Sequence, residues 1–105
     1  MIDFVIHIPL RDFVKITDEF TDEEIRFIKT DAHVDFLIYN KMDKKPILAI
    51  EVDGFKYHKQ NSKQIERDRI KNTIFEKTGL PLERLLTTGA NEEERIKCKI
   101  KEIIG

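Results

Sequence analysis

Cysteine is almost missing from this chain: Cys98 is the only one in 105 residues, so no internal disulfide can staple the fold. Stability has to come from an apolar core, which a chain of this length can supply without much to spare. A lone thiol also suits a reducing, intracellular setting, and a cytoplasmic location is the expectation. Long apolar runs are missing as well. Nothing approaches the ~20 residues of a membrane helix. The opening Met1-Ile2-Asp3-Phe4 lacks the basic and apolar regions of a secretory signal. No membrane partner is expected. There is no internal repeat, no low-complexity tract and no Gly-rich phosphate loop after a strand, which leaves Rossmann and P-loop readings without support. Neither sign of charge dominates, with 19 Lys+Arg against 20 Asp+Glu and a net charge of -1. No overall basic excess therefore advertises a polyanion partner. Acids gathered in one site can still offset a basic patch elsewhere.

What is present is a series of short, well-punctuated segments forming one domain over residues 1–105. Residues 2–10 are β-prone and end near Pro9, so a short strand is expected. Thr21-Asp22-Glu23-Glu24 matches a capping box, implying a short helix to about Lys29 or a loop with one helical turn. Residues 33–40 read as a strand, with Val34, Phe36 and Ile38 on one side and His33, Asp35, Leu37 and Tyr39 on the other. A polar connection leads to Pro46 and a strand over Ile47–Asp53, apolar on both faces until Glu51 and so expected to be central. A helix over Asn61–Thr78 stops at Gly79 and Pro81, and a strand over Leu82–Thr88 follows. Asn91 caps a last helix whose core stripe is Ile96, Ile100, Ile103 and Ile104, with Cys98 off the stripe. Adjacent strands followed by helix-separated strands predict a mixed sheet with helix packing, an α/β domain.

Three carboxylates and a histidine interrupt the two apolar strands. Asp35 lies in the first, Glu51 and Asp53 share a face of the second, and His58 follows shortly after Gly54. Burying an ionised carboxylate is costly unless a cation, a proton or a metal relieves it. Singly, each acid has an ordinary explanation: Asp35 with a surface lysine, Glu51 with an arginine such as Arg84. Together their mutual repulsion points to a magnesium site, hence to phosphodiester hydrolysis. That reaction needs a metal that polarises phosphate and acidifies a water, a group that moves a proton, and a donor that meets developing charge. Asp35 and Glu51 are the expected ligands, with Asp53 a further one, and Mg²⁺ (or Mn²⁺) the expected cofactor. His58 is the candidate proton carrier. Lys56, Gln64 and Lys71 are candidate donors to the substrate phosphate. On the long helix Gln64, Asp68 and Lys71 share a narrow face, with Arg67 at its edge and Phe75 continuing it. A face polar for two turns and then apolar suits a helix that flanks a polar cleft before reaching a core. A solvated face with ion pairs is the plainer alternative. His7 and His33 are given no role.

The ordered series His33-Val34-Asp35-Phe36-Leu37-Ile38, Pro46 through Gly54 with His58, Gln64-x-x-Arg67-Asp68-x-x-Lys71, and Gly79-Leu80-Pro81-Leu82-x-Arg84-Leu85 resembles the DUF2726 family. That family is related to DUF559 and very-short-patch-repair-like (Vsr-like) nucleases of the PD-(D/E)XK, restriction-endonuclease-like superfamily. The resemblance runs from about residue 4 to about residue 96. It implies a restriction-endonuclease-like mixed β-sheet flanked by helices, and Mg²⁺-dependent cleavage or nicking of DNA. Asp35 matches the metal-binding aspartate and Glu51 the second acid. His58 matches the histidine after the third strand, and Asp68 the acid on the following helix. The lysine that the superfamily carries two residues after the second acid is Asp53 here, so Lys71 or His58 is the expected substitute. Relatives also carry a leading helix with a glutamate that reaches the site. This sequence opens on the first strand, so that helix is expected to be missing, or the chain to be a fragment of a longer protein. Such domains often accompany helicase or zinc-finger modules, which are the expected partners beside DNA. Two other readings follow: a nuclease-derived nucleic-acid-binding module without catalysis, and a structural domain whose acids pair with Arg67, Arg84 and lysines.

Overall fold

Short apolar, β-prone runs draw four segments into one sheet. A computed structural model of the chain describes residues 1–54 and 62–87, together with positions 94, 98, 101 and 102, which are helical. The strands are β1 (Ile2–Pro9), β2 (His33–Asn40), β3 (Pro46–Gly54) and β4 (Leu82–Thr87), in spatial order β1-β2-β3-β4. The first three pair antiparallel, and β4 runs parallel to β3. A parallel return needs a crossover, and helix α2 (Ser62–Thr78) lies in the connection between β3 and β4. Helix α1 (Asp22–Lys29) lies between β1 and β2, after a single 3₁₀ turn over Leu10–Asp12. The mixed sheet of an α/β domain is thus as expected, with β3 in its interior. Asn61, Thr88 and the final stripe Ile96, Ile100, Ile103 and Ile104 lie outside the described residues. Cys98 is exposed.

Local chemistry sets the element ends. The Thr21 side chain accepts from the Glu24 N–H at 3.2 Å, and the Glu24 carboxylate accepts from the Thr21 N–H at 2.9 Å, a complete capping box. The segment is therefore a helix and not a loop with one turn. α2 stops where Gly79 takes φ +75 and its N–H donates to the Phe75 carbonyl at 3.0 Å. The turn between β2 and β3 is held by the side chains of Asn40 and Asp43, which accept from the Met42 and Lys45 N–H groups at 2.9 Å each.

Two apolar clusters form. The larger joins Leu37 and Ala49 of the sheet to Phe27 and Ile28 of α1 and Ile70, Ile74 and Phe75 of α2. The smaller is Ile38, Leu48 and Ile50, with Phe36, Val52 and Leu85 against it. Strand alternation thus sends Leu37 and Ile38 to different clusters, as the sequence pattern requires. Val34 departs from the expected pattern. It packs in the larger cluster, and so does its register partner Ile8. The change coincides with His7, which adopts φ +49 between the registered pairs Ile6–Phe36 and Ile8–Val34. A left-handed residue in mid-strand redirects the chain, and the ribbon beyond it turns its apolar side to the helices.

Candidate functional site

In the β2–β3 pair, Phe36 faces Ile50 and Leu37 faces Ala49 across the ladder. One step further along both strands stand Asp35 and Glu51, on the same side as Leu37 and Ala49, because residues opposite one another in a sheet share a face. The row that floors the larger core therefore turns from apolar to ionic at this point. α2 makes the same change above it. It buries Ile70, Ile74 and Phe75 from its middle onward, while Gln64, Arg67 and Lys71, from its start to its middle, line a cleft. Asp35, Glu51, His33 and Ala32 line the same cleft, with Phe27 of α1 closing it, and its volume is about 240 Å³. The polar-then-apolar face read from the helix sequence is realised for Gln64, Lys71 and Phe75, with Arg67 beside them, but not for Asp68.

Each acid of the cleft has a partner. Asp35 Oδ2 accepts from the Val52 N–H at 2.8 Å, which ties the carboxylate across to β3. Lys71 Nζ donates to Glu51 Oε1 and, at 3.0 Å, to the His33 carbonyl. Arg84 Nε donates to Glu51 Oε2 at 3.2 Å. Glu51 is only 8% exposed, so two cations relieve a carboxylate that burial would otherwise penalise heavily. The Arg84 guanidinium reaches further, giving Nη1 to Asn72 Oδ1 at 2.6 Å. Its buried Nη2 has no hydrogen-bond partner among the described residues and lies 3.9 Å from Asp68 Oδ1. Asp68 Oδ1 also accepts from Gln64 Nε2 at 3.0 Å. The Arg67 guanidinium lies over the Phe27 ring, 5.9 Å from its centroid.

Of the residues singled out from sequence, Asp35, Glu51, Gln64 and Lys71 meet in this cleft. Asp68 is not among the residues that line it, and faces Gln64 and Arg84. The backbone of Asp53 pairs with Leu86 of β4, and its side chain lies outside the described set. Lys56 and His58 lie outside the described residues. Lys71, expected to meet a phosphate, holds Glu51 here, whereas the Arg84 contact to Glu51 is the pairing anticipated for that acid taken alone. Sequence reasoning passed over His33, which lines the cleft, and Asn72. The latter was legible, since it lies one turn beyond Asp68 on the same helical face.

Among the described residues no three His, Cys, Asp or Glu side chains converge as a metal-ligand cluster. Mg²⁺, however, is commonly held by one or two carboxylates, with waters and substrate phosphate completing its shell. Asp35 and Glu51 are donors of that hard-oxygen type on one cleft, so the residues present fit such an ion. The fit requires Lys71 or Arg84 to yield a place on Glu51. No helix among the described residues is long and apolar enough to cross a membrane. No curated protein and no solved structure matches the chain. Residues 2–103 match the family described as "Protein of unknown function (DUF2726)", and the chain belongs to it.

Proposed function

We propose that this chain is a nuclease domain that hydrolyses phosphodiester bonds of DNA with the help of Mg²⁺. One observation carries the reading: Asp35 and Glu51, from neighbouring strands, line one small cleft together with Lys71, Arg67 and Gln64 from α2. Three antiparallel strands followed by a crossover helix and a parallel strand support a place in a Vsr-like branch of the PD-(D/E)XK superfamily, with α1 inserted between the first two strands. Asp35 and Glu51 would hold the ion, which supplies positive charge to the phosphate and a more acidic bound water.

The rest of the chemistry belongs to the chain. The Val52 N–H orients Asp35 so that the carboxylate stays at the cleft wall. Lys71 neutralises Glu51 in the free protein. When a phosphate arrives, its ammonium can leave the carboxylate for a phosphate oxygen, as the missing lysine two residues after Glu51 would otherwise do. The Arg67 guanidinium, 5.9 Å from the centre of the Phe27 ring, offers a planar fork to an adjoining phosphate. Arg84 stays on Glu51 and keeps that side chain aligned.

The test is cleavage of supercoiled plasmid with Mg²⁺ or Mn²⁺ by the wild-type chain, Asp35→Ala and Glu51→Ala. Each substitution should slow cleavage at least a hundredfold. Equal cleavage by all three proteins would remove both residues from the site. A second reading has its own support, since both oxygens of Glu51 are taken by basic side chains. On that reading the domain binds nucleic acid without cutting it. Binding would then fall steeply with salt and be indifferent to divalent cations. Binding that strengthens with Mg²⁺ and loses that gain in Asp35→Ala would count against it.

A further inference from the structure

His7 sits in the left-handed region, φ +49, in the middle of an otherwise regular strand. Glycine is the usual occupant of that conformation, with asparagine, aspartate and histidine the commonest others, and a side chain there costs roughly 1 kcal/mol or more. The kink turns the ribbon toward the helices, but that task does not require histidine. What the kink also achieves is a contact. The His7 ring lies 4.0 Å from the His33 ring, centroid to centroid, with the planes tilted by 44°. His33 is half-buried and lines the carboxylate cleft, while His7 is exposed.

The second ring is already oriented. His33 Nδ1 lies 3.2 Å from the Asp31 carbonyl oxygen. A carbonyl can only accept, so this hydrogen bond puts the proton on Nδ1 and the lone pair on Nε2. A backbone carbonyl holding the far nitrogen is the arrangement that prepares an imidazole to ligate a metal. Backbone strain, a paired imidazole and a selected tautomer thus coincide at one spot.

We propose that His7 and His33 form a two-imidazole site for a borderline transition-metal ion of the Zn²⁺, Ni²⁺ or Cu²⁺ class, open to water in its remaining positions. Paired imidazoles select such ions over Mg²⁺ and Ca²⁺, which prefer oxygen. The site is separate in chemistry from the Asp35–Glu51 pair and does not rest on the nuclease reading. Metal–nitrogen bonds of about 2.0–2.1 Å set two bound imidazole centres about 4.5–5.2 Å apart. The rings therefore open by roughly an ångström on binding. The exposed His7 side chain is the one that moves.

The experiment is calorimetric titration of Zn²⁺ into the chain in a Cys98→Ser background, with excess Mg²⁺ present to occupy oxygen sites. One ion should bind in the micromolar range. His7→Ala and His33→Gln should each weaken it at least tenfold, while His58→Ala and Glu51→Gln leave it unchanged. In the unsubstituted chain, one equivalent of Zn²⁺ should shift the ring-proton resonances of His7 and His33 together and spare His58, which reads the site without any substitution. The proposal is overturned if Zn²⁺ does not bind, if binding survives both histidine substitutions, or if it follows His58 or Glu51 instead. Because no DNA is cleaved in this test, its result is independent of whether the domain is a nuclease.

Discussion

Glu51 decides the character of the site. Its carboxylate sits where an apolar row ends, nearly out of water, between the ammonium of Lys71 and the guanidinium of Arg84. Removing it leaves two cations facing a low-dielectric core, and breaking a buried pair of this kind costs about 3–5 kcal/mol. Glu51→Ala should therefore unfold in urea with a loss of that order. The double variant Glu51→Leu/Lys71→Met should lose markedly less, because it removes a buried charge from each side. Equal destabilisation by the two would show that Lys71 is not the main partner. At this scale the acids themselves were legible, since a spacing of two along a strand sends Glu51 and Asp53 to one face, and antiparallel pairing then brings Asp35 beside Glu51. The identity of the partners was only half legible. Arg84 stood out as an arginine available to Glu51, but Lys71 was read as a phosphate ligand. Nothing in a linear sequence says which of two anions an ammonium will reach, because that depends on how far α2 lies from β3. His33 was missed because a histidine two residues before an acid looks like any polar residue at the start of a strand.

Helix ends carry their own predictions. Gly79 holds φ +75, and a Cβ built there meets nothing within 4 Å. Gly79→Ala should thus cost about 1–2 kcal/mol from backbone conformation alone, without a packing term, as measured by thermal or urea unfolding. In α1, Glu24 closes the capping box and also accepts from Lys77 of α2 at 2.6 Å. Burial pushes its carboxyl up, but hydrogen bonds from Lys77 and Thr21 together outweigh burial and hold it below the ordinary value of 4.5. A depressed folded-state value means that the group stabilises the fold above 4.5 and that this stabilisation is lost as pH falls through the lowered value. The stability gap between wild type and Glu24→Gln should be widest near neutral pH and should narrow below about 4.5. A gap independent of pH would mean that the charge contributes nothing. The box was readable from Thr21 and Glu24 three positions apart, whereas the tie to Lys77 was not, being a contact between residues far apart in the chain.

For the whole molecule, the packing of α1 and α2 against the Leu37–Ala49 side of a mixed sheet determines where this cleft can sit. α2 is longer than the core it covers, so its last turns bury Ile70, Ile74 and Phe75 and its first turns overhang the polar end of β2 and β3. Ile74 has no exposure, and Ile74→Ala should cost about 2–5 kcal/mol while loosening the roof of the cleft. Much of this architecture was legible: short β-prone apolar runs marked the strands, glycine and proline marked the stops, and the change of face along α2 pointed to the cleft. The kink at His7 was not legible, because a left-handed backbone is uncommon even for histidine and the flanking Val5, Ile6 and Ile8 read as a continuous strand. The central claim is that Asp35 and Glu51 share one divalent cation in competition with Lys71. Mn²⁺ binding, followed by the loss of free-ion paramagnetic resonance signal, tests it most directly across the wild-type chain, Asp35→Asn and Lys71→Met, each carrying His7→Ala so that the imidazole pair does not contribute. Binding should weaken at least tenfold in Asp35→Asn and tighten in Lys71→Met, where Glu51 is released. Identical binding in all three, or none in any, would contradict it.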